Sequence, residues 1–252
     1  MLTDEFFRIL IARLAELERA ERGPIQAAGR LVAEAYQRGD RTFLFGSGHS
    51  VLPVMDLCVR AATPALFNPL LVPGLLPTDA PYLRSGLLER LPGLAAAVLA
   101  TSTLRGGDVL IVVSNSGRNV VPIELAQLAR ERELRVVAVT GLATATAQTS
   151  RHSSGQSLHD IADVVIDTHT PFGDGSVVVD DQAQPGAAIC PLATILAATA
   201  LQAVSAAAVD ALTARGIHIP IFTSGNVDGG EERSQAILDR GGSAALTWTT
   251  VV

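Results

Sequence analysis

Val109-Leu110-Ile111-Val112-Val113-Ser114-Asn115-Ser116-Gly117-Arg118-Asn119-Val120-Val121-Pro122 is the stretch from which the fold can be read. The opening aliphatic run has the character of a strand buried on both faces. Ser114 to Arg118 then turn the chain, and Asn119 stands where a helix N-cap is expected. Pro122 falls in the first helical turn, where its missing N–H costs nothing. A second turn of the same plan is Gly46-Ser47-Gly48-His49-Ser50-Val51-Leu52-Pro53, with Ser50 as the expected N-cap. Glycines let the backbone approach a ligand closely, and free N–H groups at a helix start attract an anion. The Ser114 and Ser116 hydroxyls add donors, so the pair of turns predicts a site for an anionic or polyhydroxylated small molecule.

Further strand-like runs lie at 41–45, 65–72, 136–139 and 164–166, with helical patterns at 50–62, 88–103 and 120–132 between them. This alternation predicts an α/β protein, a three-layer α-β-α sandwich around a five-stranded parallel sheet. Right-handed crossovers would bring every strand-to-helix turn to one sheet edge, where ligands bind. Residues 3–38 show helical spacing on either side of Gly23-Pro24, predicting two N-terminal helices. After residue 167 an irregular excursion through Pro171-Phe172-Gly173-Asp174-Gly175 is expected to precede an alanine-rich helix at 188–215. The apolar run 217–223 and a last helix at 229–240 form a C-terminal extension. With no linker-like segment, the 252 residues are expected to form one domain. Its core would span about 25–215, with a helix over 1–24 before it and the extension over 216–252 after it.

Composition excludes several chemistries. The chain has a net charge of −6 and 17% charged residues, which leaves no basic surface for nucleic acid. It contains no lysine, and all 19 basic residues are arginine. A Schiff-base aldolase, a pyridoxal-phosphate enzyme and a P-loop nucleotidase each need a lysine amine. A dinucleotide site would want a third glycine where Val51 stands and an acid where Phe67-Asn68-Pro69 stands, so no nicotinamide cofactor is expected. Cys58 and Cys190 form no CxxC pair and are expected to be buried and unpaired. Residues 187–209 carry no charge over a length that could cross a bilayer. Their Ala, Thr, Ser and Gln content predicts instead a core or interface helix, and no membrane association is expected. The mixed charges of the first 17 residues do not make a signal peptide, and a cytoplasmic location is expected.

The two turns resemble the signatures of the SIS (sugar isomerase) domain family. Its Gly-x-Gly-x-Ser turn is matched by Gly46, Gly48 and Ser50, and its Ser-x-Ser-Gly-x-Ser/Thr loop by Ser114, Ser116 and Gly117, with Asn119 in place of the final Ser or Thr. The likeness is strongest to the UPF0309-type branch, which also shows a segment like Ser150-Arg151-His152-Ser153-Ser154-Gly155 and one like 224–230. The resemblance implies a single SIS domain that binds a sugar or sugar phosphate, and a homodimer or homotetramer. An aldose–ketose isomerase working through an enediol is the activity it implies first. A non-catalytic sugar-phosphate sensor and an amino-sugar phosphate lyase or etherase are the alternatives.

Enediol chemistry needs a base to move a proton between adjacent carbons and a group to open the ring. His152 and His49 are the candidate histidines. Glu124, one turn beyond Asn119, and Glu89, in the segment from which related enzymes recruit a base, are the candidate carboxylates. The expected ligand-binding residues are Gly46, Ser47, Gly48, Ser50, Ser114, Asn115, Ser116, Gly117, Arg118, Asn119, Asp174 and Asn226. His159, His169 and His218 are expected to be structural. No His or Cys spacing suggests a metal site.

Overall fold

The computed structural model describes residues 1–58, 60–79, 81, 83–180, 182–239 and 249–250. Its elements are α1 (Leu2–Arg38), β1 (Thr42–Gly46), α2 (Val51–Leu57), β2 (Phe67–Leu71), α3 (Leu83–Leu88), α4 (Leu94–Thr101), β3 (Val109–Val113), α5 (Val120–Glu131), β4 (Arg135–Thr140) and α6 (Leu142–Ala145). There follow α7 (Leu158–Ile161), β5 (Val164–Asp167), β6 (Gly175–Val178), β7 (Ala188–Pro191), α8 (Ala193–Thr213), α9 (Gly230–Asp239) and β8 (Thr249–Thr250). Five parallel strands run in the order β5-β4-β3-β1-β2, and β8 adds two residues beside β2.

Side chains alternate across this sheet, as the period of a strand requires. Leu44, Val109, Ile111, Val113, Val137 and Val139 face one core with α1, α2 and α8. Phe43, Phe45, Leu110, Val112, Val136 and Ala138 face the other with α4 and α5. The chain is thus an α/β sandwich with apolar layers on both faces of its sheet.

The N-terminal residues form one helix rather than two. Pro24 lies inside α1, where it removes one helical hydrogen bond. Buried positions on both sides of it, from Leu17 and Glu21 through Ile25, Ala28 and Gly29 to Val32 and Ala35, form one face, and α1 packs along α8. That shared face outweighs the lost bond, and α1 runs for about 55 Å. Gly29 permits the contact, since a Cβ there would lie 2.6 Å from Ala207 Cβ.

The alanine-rich helix begins at Ala193. Residues 188–191 form a strand that pairs antiparallel with β6 in a separate hairpin. Cys190 sits in that hairpin and is partly exposed, not buried, whereas Cys58 is buried and its thiol is pushed up by desolvation. The helix expected over 50–62 ends at Leu57, and that over 88–103 is shortened to α4, preceded by the unanticipated α3. The last helix spans Gly230–Asp239, and its expected final residue, 240, lies outside the described residues. By length and composition α8 could span a bilayer; one face of it packs on α1 and α2.

Gly29→Val is expected to lower the unfolding free energy by about 2 kcal/mol in urea titrations, because the added methyls must displace Ala207 backbone as well as its side chain.

Candidate functional site

Parallel pairing of β1 with β3 brings both turns to the same sheet edge. After β1, Gly46 packs against the following turn so closely that a Cβ would lie 2.2 Å from the Ser50 carbonyl oxygen. Gly48 adopts φ 54°, and a short 3-10 turn over Gly48–Ser50 leads straight into α2. Ser50 is helical in its own backbone and makes no side-chain cap, so the expected capping role is not met.

The loop after β3 is held by its carbonyls. Ser114 O accepts from Gly117 N (3.2 Å), Asn115 O from Gly141 N (3.0 Å), Gly117 O from Leu158 N (2.8 Å), Arg118 O from Arg151 N (2.8 Å) and Asn119 O from Ile123 N (3.4 Å). The N–H groups of Asn115, Ser116, Arg118 and Asn119 donate to no group among the described residues. With carbonyls tied outward and N–H groups left over at the start of α5, the loop is a nest for an anion. Gly117 makes this turn possible at φ 58°, where its Cα side faces Thr140 Oγ1 at Cβ distance 3.0 Å.

Asn119 occupies the N-cap position with extended backbone but makes no side-chain cap, contrary to expectation. Its Oδ1 instead accepts a 2.6 Å bond from the Arg151 guanidinium. The amide is drawn to a cation rather than to the helix N–H groups because a charge-assisted bond is stronger than a neutral one. Arg118 donates to Gln148 Oε1 at 2.8 Å while its buried Nε has no partner. Burial, then the neighbouring Arg90 and Arg118 charges, hold Arg151 below the ordinary arginine value, with Glu89 acting in the opposite sense.

Glu89 reaches the same place from the segment between α3 and α4. Its Oε1 accepts from the buried Ser47 hydroxyl at 2.7 Å, and its backbone oxygen accepts from Val121 N at 3.0 Å. Glu89, Arg90, Gly48 and His49 line a cavity of about 380 Å³. A smaller one of about 110 Å³ is bounded by His49, Ser50, Asn115, Thr168 and Thr194 over an apolar floor that includes Val113 and Val139. Among the described residues, His49 alone borders both.

The other candidates are engaged elsewhere. His152 Nδ1 lies 2.8 Å from Ser154 Oγ and accepts from Ser154 N at 3.2 Å, and its Nε2 is 4.0 Å from Glu124 Oε1. The Glu124 carboxylate accepts the Gly93 N–H at 2.9 and 3.1 Å, closing the start of α4. Asp174 borders the smaller cavity, but its Oδ1 accepts from Leu192 N and Ala193 N at 2.9 and 2.7 Å and so caps α8. Asn226 lies in a turn with Ser224 and lines neither cavity. His169 is held among Glu16, Glu21 and Asp167 at the junction of α1 and β5. Among the described residues no group of three or more His, Cys, Asp and Glu side chains is set to hold a metal. Arg90 and Arg151 were not singled out by the sequence, in which Arg90 stands in no motif and Arg151 only fills the position before His152 in the 150–155 segment.

The SIS domain profile matches residues 5–141, more than half of the chain. A UPF0309 protein of Streptomyces coelicolor is 43% identical over 94% of both chains, and one of Oceanobacillus iheyensis is 33% identical over 94% of this chain and 95% of its own. The chain belongs to the SIS domain family, among the UPF0309 proteins. Among solved structures it is similar in fold to the phosphoheptose isomerases of Francisella tularensis and Neisseria gonorrhoeae. These are 14% and 18% identical with TM-scores of 0.53 and 0.52, each matched over 82% of this chain and 95% of the other.

Glu124→Ala removes the acceptor for the Gly93 N–H and the partner of His152. It is expected to cost about 1–2 kcal/mol in denaturant unfolding, whereas a solvated surface acid at this position would cost nothing measurable.

Proposed function

We propose that this SIS domain protein binds a sugar phosphate and isomerises it between aldose and ketose through an enediol. The observation that carries this reading is the convergence of the Ser47-held Glu89 carboxylate and His49 on one cavity, with the Glu89 backbone bonded to Val121 at the start of α5. In this reading the phosphate sits on the free N–H groups at the start of α5, where the helix dipole favours it. Glu89 takes the proton from the carbon next to the carbonyl and returns it to the adjacent carbon. The Ser47 hydroxyl leaves Glu89 Oε2 unencumbered for this step, and the Glu89–Val121 backbone bond ties the base to the helix that holds the phosphate. His49, bordering both cavities, exchanges a proton with the ring or carbonyl oxygen. His152 and Glu124 serve as supports of the surrounding loops.

The two proteins similar to this chain in fold, both phosphoheptose isomerases, support this reading. The same reading takes the protein to be cytoplasmic, in keeping with its two unpaired cysteines. It also takes it to be a homodimer or homotetramer, in keeping with the exposed Phe7 and Ile11 of α1 and an apolar groove between α1 and α8.

Incubation with a panel of aldose and ketose phosphates in deuterated water is expected to give exchange of the carbon-bound hydrogen for at least one member. Glu89→Gln should slow that exchange about 100-fold or more while ligand-induced melting shifts persist. Exchange unchanged in Glu89→Gln, or absent across the panel, would remove the isomerase reading.

A further inference from the structure

Arg90, Arg118 and Arg151 are drawn together from three separate segments. Residues 89 and 90 are pinned to the first turn of α5 by the Glu89 O to Val121 N bond, Arg118 belongs to the loop, and Arg151 is joined to it through Arg118 O and Asn119 Oδ1. Among the described residues none of the three forms an ion pair. Glu89 acts on Arg151 in the opposite sense, and its Oε1 is turned to Ser47. The Arg90 and Arg118 charges both act against that of Arg151, a repulsion that an anion would offset. This local positive excess stands against a net chain charge of −6.

None of the three arginines borders the smaller cavity. The Arg118 and Arg151 guanidiniums bond toward Gln148 and Asn119, and Arg90 borders the larger cavity, whereas Asn115 borders the smaller one. We propose that Arg90, Arg118 and Arg151 form a second anion subsite, so that the ligand is a sugar carrying two negatively charged groups, one on the loop N–H groups and one on the guanidiniums. This rests on the sugar-phosphate reading of the loop. The second group is a phosphate or a carboxylate, both of which the planar, multiply donating guanidinium accepts.

Calorimetric titration of the full chain with fructose 6-phosphate, fructose 1,6-bisphosphate and 6-phosphogluconate distinguishes the cases. At least one doubly anionic probe is expected to bind about tenfold more tightly than the monophosphate. An advantage for the bisphosphate alone identifies a second phosphate, and one for phosphogluconate alone a carboxylate. Arg151→Gln, at a residue that lines neither cavity and whose backbone N–H already donates to Arg118 O, should abolish the advantage while leaving the monophosphate Kd within about threefold. Equal Kd values for the three probes, a parallel loss of all three in Arg151→Gln, or no saturable binding at millimolar concentration overturns the subsite. Because the readout is binding, tight bisphosphate binding without hydrogen exchange would keep the subsite and remove the isomerase, and exchange without a doubly anionic preference would do the reverse.

Discussion

Strand β3 is hydrogen-bonded on both edges, to β1 and β4, and all five of its residues are buried. A strand in that position must be apolar on both faces, and its parallel neighbours must be reached by crossovers through the helical layers. Those crossovers carry every turn after a strand to the same edge. The coming together of Gly46–Ser50 with Ser114–Asn119 follows from that geometry.

At that edge the backbone does most of the chemical preparation. Five carbonyls of the 114–119 loop are tied to neighbours as different as Gly141, Leu158 and Arg151, while four of its N–H groups keep no partner among the described residues. Side chains then add directionality: Ser47 aims Glu89, and Asn119 steadies Arg151. The substitution of Asn for the family's terminal Ser or Thr thereby exchanges a small hydroxyl for a guanidinium fixed by an amide. The loop 149–157 serves as a buttress, with His152, Ser154, Gln127 and Gln156 bonded to one another along α5.

Some of the local sequence signals were overridden by packing. Gly23-Pro24 reads as a break on local propensity, yet the continuous face presented to α8 carries α1 through it. Residues 188–191 read with the uncharged run of the helix that follows, but Gly175 allows close backbone approach, with a Cβ there 2.6 Å from Ala188 Cβ, and the segment pairs with β6 instead. His152 is a candidate histidine by sequence, and the structure adds that Ser154 and Glu124 lie against its two ring nitrogens, which the sequence cannot show. Glu124 and Asp174 likewise looked available, and each is spent on helix N–H groups.

The sequence by itself determined the α/β class, the parallel sheet and the two strand-to-helix turns, because continuous aliphatic runs and glycines act through local conformation and burial. It also determined that every cation available to the site is an arginine. The tertiary structure alone decided which charged groups meet there. Arg90, Glu89, Arg118 and Arg151 lie on segments separated by long stretches of chain, and only the register of β1 on β3 and the docking of residues 89 and 151 against the start of α5 bring them to one place. Electrostatic association of this kind depends on distance in space, which local residue patterns do not encode.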